Sequence, residues 1–253
     1  MDKNKQLTDV SNKLKELLQK KVDALPKSFN ETRFLQNALT VLSDTKDIEK
    51  YNTQSIARTM LQGAFLGLDF FMKECYAIPY GLNLQFQTDY KGEIKLAKKY
   101  SINPVKDIYA KVVREGDLFE ASIEDGRQVV NFKPINFNDG VILGAFAVCL
   151  FADGSMIYDE MSLKEIEKTR SNFSKAPDSK AWRMTPEEMY KKTVIRRLCK
   201  LIHLEFESAE QRRAFEEGSD VDHKKFKWET IEVETQDPFS KKPEEVADEA
   251  KLK

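Results

Sequence analysis

Residues 191–200 read KKTVIRRLCK, five cations in ten positions with no acid among them. Lys and Arg at that density suit one kind of chemistry, the neutralisation of a polyanion. If Thr185 or Pro186 opens a helix, Tyr190, Val194, Leu198 and Leu201 fall on one arc, and Lys192, Arg196 and Lys200 fall opposite, with Arg197 at the edge. Like charges four apart weaken a helix, and here no Glu interleaves to relieve them. The stripe therefore costs stability unless a polyanion covers it. A merely solvated face would normally mix signs.

A second concentration precedes it. Between Tyr90 and Arg114 seven cations (Lys91, Lys95, Lys98, Lys99, Lys106, Lys111 and Arg114) stand against Glu93 and Asp107, a net of +5. Between Met161 and Leu201 eleven cations, among them Arg170 and Lys175, stand against five acids, a net of +6. The chain as a whole is formally −1, so the basic stretches are offset by acidic ones elsewhere, the C-terminal tail among them. Such asymmetry is the footprint of a nucleic-acid binder. Phe86, Tyr90, Tyr100, Phe173, Trp182 and Tyr190 sit among these cations, as a stacking groove requires, although each taken singly is more often a core residue.

Other chemistries lack their residues. The sequence contains no GxxxxGK[ST] loop, no GxSxG and no HExxH, and its histidines are His203 and His223 alone. Cys75, Cys149 and Cys199 form no CxxC pair and are expected to be reduced, mostly buried thiols. Glu93 and Lys95, with an upstream carboxylate such as Asp69, imitate the ExK of metal-dependent nucleases. That motif usually sits on a strand, however, whereas GEIKLAKK reads as a helix.

The elements that must position the cations are given by periodicity. A chain of 253 residues supports one main domain with appendages. Its longest apolar run, VILGAFAVCLF, is too short for a membrane span, and the polar N-terminus lacks a signal-peptide core. A cytoplasmic protein is expected. Leu7, Val10, Leu14, Leu17, Leu18, Val22 and Leu25 mark an amphipathic helix ended by Pro26, its stripe facing its own domain or a neighbouring subunit. A second helix starts after Asn30 and a third near Thr53, the latter turning Ile56, Met60, Leu61, Phe65 and Leu68 inward. Alternation of Leu82, Leu84 and Phe86 predicts a half-buried strand within 76–88, and residues 89–100 a short helix. Further strands are expected at 108–114, 117–123, 127–133, 141–151 and 155–159, then helices after 161, interrupted by a loop over 171–182. The fold class is α+β, a central antiparallel sheet with flanking helices. Residues 1–50 form an N-terminal helical segment suited to oligomer contacts, 51–217 the binding core, and 218–253 an acidic, disordered tail.

The segments NLQFQTDYKGEIKLAKK, YAKVVREGDLFE and EEMYKKTVIRRLCKL, in that order and spacing, resemble the RecT family of phage and prophage single-strand annealing proteins. LQGAFLGLD resembles the family's helix ending in LGL, and the likeness spans roughly residues 50–205. The resemblance implies a core similar to that of eukaryotic annealing proteins, in which a sheet and a helix line a basic groove. It further implies ATP-independent annealing of complementary strands during phage recombination, without a cofactor or enzymatic activity. The implied partners are single-stranded DNA, the annealed duplex, further copies of the chain in a ring or helical filament, a phage exonuclease, and a single-strand binding protein of the bacterial host.

The DNA contacts expected are Lys91, Lys95, Lys98, Lys99, Lys111, Arg114, Arg170, Lys175, Lys192, Arg196, Arg197 and Lys200. Of these, Lys111 or Arg197 is the candidate for a structural ion pair instead. Phe86, Tyr90, Phe173 and Trp182 are candidates for stacking or groove lining. The alternatives are a protecting single-strand binder that does not anneal, a basic scaffold for RNA, and the nuclease built on Glu93.

Overall fold

The computed structural model describes residues 2–174 and 176–219. Helix α1 (Lys3–Lys20) buries Val10, Leu14 and Leu18, spaced four apart, in a core shared with helices α2 (Glu31–Asp44) and α3 (Thr53–Leu66), and it packs mainly on α3. Its apolar stripe is thus used within its own chain. The helix stops at Lys20, earlier than periodicity suggests, and a 3-10 turn over Val22–Ala24 leaves Val22 exposed. Helix α2 begins where Asn30 accepts a hydrogen bond from the Arg33 N–H at 2.9 Å. Helix α3 begins in the same way at Asn52 and ends at Gly67, whose positive φ of 65° closes the turn. Ile56, Met60, Leu61, Phe65 and Leu68 all point inward as their spacing requires.

The stretch read as one strand is a hairpin of β1 (Cys75–Tyr80) and β2 (Asn83–Thr88), paired from Cys75 opposite Thr88 to Tyr80 opposite Asn83. Leu82, counted in the alternation, lies in the turn and is exposed, whereas Leu84 and Phe86 face the core. The chain continues through α4 (Tyr90–Tyr100), β3 (Val105–Arg114), β4 (Leu118–Glu124), β5 (Arg127–Lys133), β6 (Ile142–Phe151) and β7 (Met156–Ser162). It then returns to helix with α5 (Leu163–Phe173), α6 (Lys180–Met184), α7 (Pro186–Cys199) and α8 (Ala209–Ser219). The fold is α+β with antiparallel pairing throughout the described strands.

The expected central sheet is divided. Strands β3, β6 and β7 form a three-stranded sheet in the order β3-β6-β7, while β1–β2 and β4–β5 are separate two-stranded ribbons. Successive side chains of a strand point to opposite faces, so β6 serves two cores. Ala145, Ala147 and Cys149 pack with Ile166 of α5 and Val194 and Leu198 of α7, while Phe146 and Val148 pack with Phe119 and Phe132 of the β4–β5 ribbon. Helices, sheet and ribbon therefore stack as layers. A further cluster joins α1, α2, α3, β1, β2, α4 and α8, so residues 1–50 share a core with elements later in the chain. Helix α8 extends through Gly218 and Ser219, and the expected disorder from 220 onward falls outside the described residues. The three cysteines are buried and free.

Gly92 fixes the distance between α4 and the chain entering β1. A Cβ there would stand 2.1 Å from the Glu74 carbonyl oxygen and 3.2 Å from Leu68 Cδ1. Alanine would gain about 1 kcal/mol of helix propensity but force an overpacking that costs about 1–3 kcal/mol, with backbone as the obstacle. Gly92→Ala is expected to lower the midpoint of denaturant unfolding; an unchanged or higher midpoint would show that α4 can move away from Glu74 freely.

Candidate nucleic-acid interface

Helix α7 begins as anticipated, with Pro186 at its first position and Glu187 and Glu188 in its first turn. Tyr190, Val194 and Leu198 are buried, but so are Ile195 and Cys199, which makes the apolar arc wider than one stripe. Leu201 lies beyond the helix end and is exposed, contrary to its assignment to that arc.

The cationic stripe faces a neighbour. Lys192 Nζ lies 5.2 Å from the centre of the Tyr90 ring, at the first residue of α4. One turn on, Arg196 Nε donates to Glu93 Oε1 at 3.3 Å. Glu93 is 3% exposed, also accepts from the Thr88 hydroxyl at 2.9 Å, and leaves Oε2 without a partner. Burial pushes its pKa above the ordinary 4.5, against the pull of Arg196, the Thr88 hydroxyl and Lys200. The missing acids of KKTVIRRLCK are therefore supplied by other elements. Asp159 of β7 holds Arg197 in a two-point pair at 2.6 and 2.5 Å, the structural ion pair anticipated for Arg197 or Lys111. Arg197 also reaches the Glu160 carbonyl.

Most of the other candidate cations are engaged too. Lys95 donates to Glu74 at 2.7 Å and to the Gly67 carbonyl at 2.9 Å. Lys98 lies 3.5 Å from Asp107, and Lys99 lies 4.7 Å from the centre of the Tyr100 ring. Arg114 pairs with Glu187 and donates to the Gly140 carbonyl. Arg170 pairs with Glu167 and Asp178 and covers the Trp182 ring at 5.2 Å. Lys91 is exposed in the first turn of α4. Lys111 is exposed on β3 directly opposite Phe146, which puts it on the ribbon side of the sheet, away from α7. Lys175 lies outside the described residues.

Among the aromatics, Phe86 is enclosed in the first core and Trp182 in the second, with no face open to a base. Tyr90 is half-buried beside Lys192, and Phe173 is exposed at the end of α5. The nuclease reading fails on geometry. Lys95 and the Asp69 N–H both donate to Glu74 Oε2, at 2.7 and 2.8 Å, whereas Glu93 turns away to Arg196 and Thr88, so the ExK pair does not face one site with Asp69. What sequence reasoning missed is the acid side of the network. Glu93, Glu187 and Asp159 lie 103, 73 and 38 residues from their Arg partners, so no local spacing announces them.

Helices α4 and α7 thus meet at two cationic contacts, Lys192 on Tyr90 and Arg196 on Glu93, on a layered α+β frame. A family model described as RecT family matches residues 32–227. The chain is also 30% identical over 194 residues to Protein RecT of Escherichia coli (strain K12), covering 73% of this chain and 71% of that one. It belongs to the RecT family, whose role is DNA binding and single-strand annealing in recombination. No helix among the described residues is long and apolar enough to cross a membrane.

The pH response isolates Glu93. A carboxyl whose folded pKa is raised favours the folded state fully below its unfolded value and loses that contribution as pH rises through the folded value. Stability of the wild type should therefore contain a component that falls as pH climbs from 4.5 towards the raised value. Glu93→Gln, which keeps an acceptor for Thr88 and Arg196, should lack it. Denaturant midpoints measured in steps across that window check this, and parallel profiles for the two proteins would refute it.

Proposed function

We propose that the chain is an ATP-independent single-strand annealing protein that binds single-stranded DNA along the α4–α7 seam, pairs complementary strands and holds the duplex product within a multimer. The observation that supports this best is the placement of Lys192 and Arg196, one turn apart on α7, against Tyr90 and Glu93 of α4, whose first turn also exposes Lys91. Phosphates contribute the sequence-independent part of affinity, which suits a protein that must accept any sequence. Cations on the backbone remove the repulsion between two strands and leave base edges free to test pairing. Tyr90, beside Lys192, is the candidate for stacking, and Phe86 and Trp182 hold the cores.

The energetics need no nucleotide. Stacking yields about 1.4 kcal/mol per base-pair step, so ten correct steps release on the order of 14 kcal/mol. The protein need only lower the barrier to the first contacts, and the zipping after them is downhill. An exonuclease that exposes single strands and a host single-strand binding protein are the partners this role requires, and the acidic sequence beyond residue 219 is the candidate to dock them.

Arg196 is a poor probe because its loss would leave Glu93 charged, buried and unpaired, at a cost of about 3–5 kcal/mol. Lys91 and Lys192 are better. Changing both to Gln should weaken binding to every sequence alike and flatten the dependence of log affinity on log salt by about 0.7 per lost contact. An unchanged slope would remove the seam from the interface. Annealing itself is read by energy transfer between two labelled complementary oligonucleotides added in sequence without ATP, with a non-complementary pair as control. Rapid transfer with protein still bound is expected; binding of each strand with slowed pairing would make the protein a protecting single-strand binder.

A further inference from the structure

Two loops outside the seam are built to hold apolar side chains in water. In the first, residues 134–141, Phe137 is fully exposed and adopts a positive φ of 55°, a conformation that bulky residues rarely hold. It is kept there by a hydrogen-bonded hub. Asp117 accepts from the Ile135 N–H and the Asn138 side chain, each at 2.9 Å, and from the Arg114 N–H. Asn138 in turn reaches the Glu115 carbonyl at 3.0 Å and accepts from the Gly140 N–H at 2.8 Å. These bonds hold the Asp117 carboxyl below its ordinary range, so it remains charged. Ile135 and Val141 are exposed beside the ring in sequence. The exposed charges along this loop and its base are Glu115 and Asp139, with Lys133 as the one opposing cation among them.

In the second loop, which runs from the end of α3 to β1, Phe71 and Met72 are exposed side by side. Asp69 Oδ1 accepts from both of their N–H groups, at 2.8 and 3.3 Å, and Lys73 takes a positive φ of 58°. The local acids are half-buried and occupied: Asp69 with these N–H groups and Asn37, Glu74 with Lys95. The exposed charge on this loop is Lys73. One apolar patch thus carries an acidic rim and the other a basic one.

We infer that the 134–141 loop of one copy docks on the 69–73 loop of the next, a head-to-tail contact that lines subunits up along DNA. The inference rests on the multimer of the proposed function and names its contact. Like rims oppose the pairing of either patch with itself, whereas unlike rims attract. A contact between two different patches leaves one of each free at the ends, so it propagates into a filament, or into a ring where the rotation closes. The apolar stripe of the N-terminal helix is not what such a contact would use, because it is already buried in its own chain.

The test uses the full chain in sedimentation velocity, alone and with a long single-stranded oligonucleotide, beside binding of a short one. Phe137→Gly removes the ring and relieves the positive φ, so folding is retained; it should weaken assembly about tenfold or more, as the loss of a central aromatic anchor does, and leave short-oligonucleotide affinity unchanged. Met72→Asp should do the same. Asp139→Lys should impair assembly and Lys73→Glu combined with it should restore assembly. Wild-type assembly retained by Phe137→Gly and Met72→Asp would overturn the contact, as would a monomeric wild type or loss of oligonucleotide binding with assembly intact. Wild-type assembly through these loops without annealing would leave the contact standing and remove the annealing function.

Discussion

A buried carboxylate cannot be left alone with its charge, and Glu93 meets that constraint by binding α4 to α7. Its partners come from three places: Arg196 on α7, the Thr88 hydroxyl at the end of β2, and the field of Lys200. β2 belongs to the first core and α7 to the second, so one side chain couples the helical layer to the sheet layer. Two apolar residues of similar volume would pack the same junction at less desolvation cost. Together with the buried arc of α7 and the Arg197–Asp159 and Arg114–Glu187 pairs, the charged pair ties α7 to the elements around it.

The repulsion among gathered cations is offset in the same way elsewhere. Arg197 leans on Asp159, Arg114 on Glu187 and Arg170 on Glu167, each pair joining elements or turns that would otherwise repel. Arginines, with a planar fork that holds geometry, take the pairs that reach furthest along the chain, and Lys95 and Lys98 pair as well, while Lys91, Lys111 and Lys192 keep their ammonium groups outside ion pairs among the described residues.

Much of this frame was legible in the chain. Asn30 and Asn52 mark helix starts because a side-chain oxygen is needed where backbone N–H groups lack partners, and that need is local. The strands from 105 to 162 are bounded by their turn residues for the same reason. Leu82 misled because alternation cannot distinguish a strand from the turn of a hairpin whose next residues alternate. Phe86 and Trp182 misled because an aromatic near cations in sequence is not an aromatic near cations in space; the charges point out while the rings fill cores. The family was readable from three ordered blocks, but the acids that hold the arginines were not, since each comes from a distant element.

That division bears on how a single chain becomes an assembly. Periodicity reveals an apolar helix face but not what covers it, and the face on α1 turned out to be covered by α3. Single apolar residues in water are ordinary, and what sets two of the exposed loops apart is that hydrogen bonds fix the backbone beneath the apolar side chains. At Phe137 the restraint is the hub of Asp117 and Asn138, and at Phe71 and Met72 it is Asp69. These hydrogen bonds fix the two loops that the proposed head-to-tail contact would bring together, where unlike rims would favour a second copy over the pairing of either patch with itself.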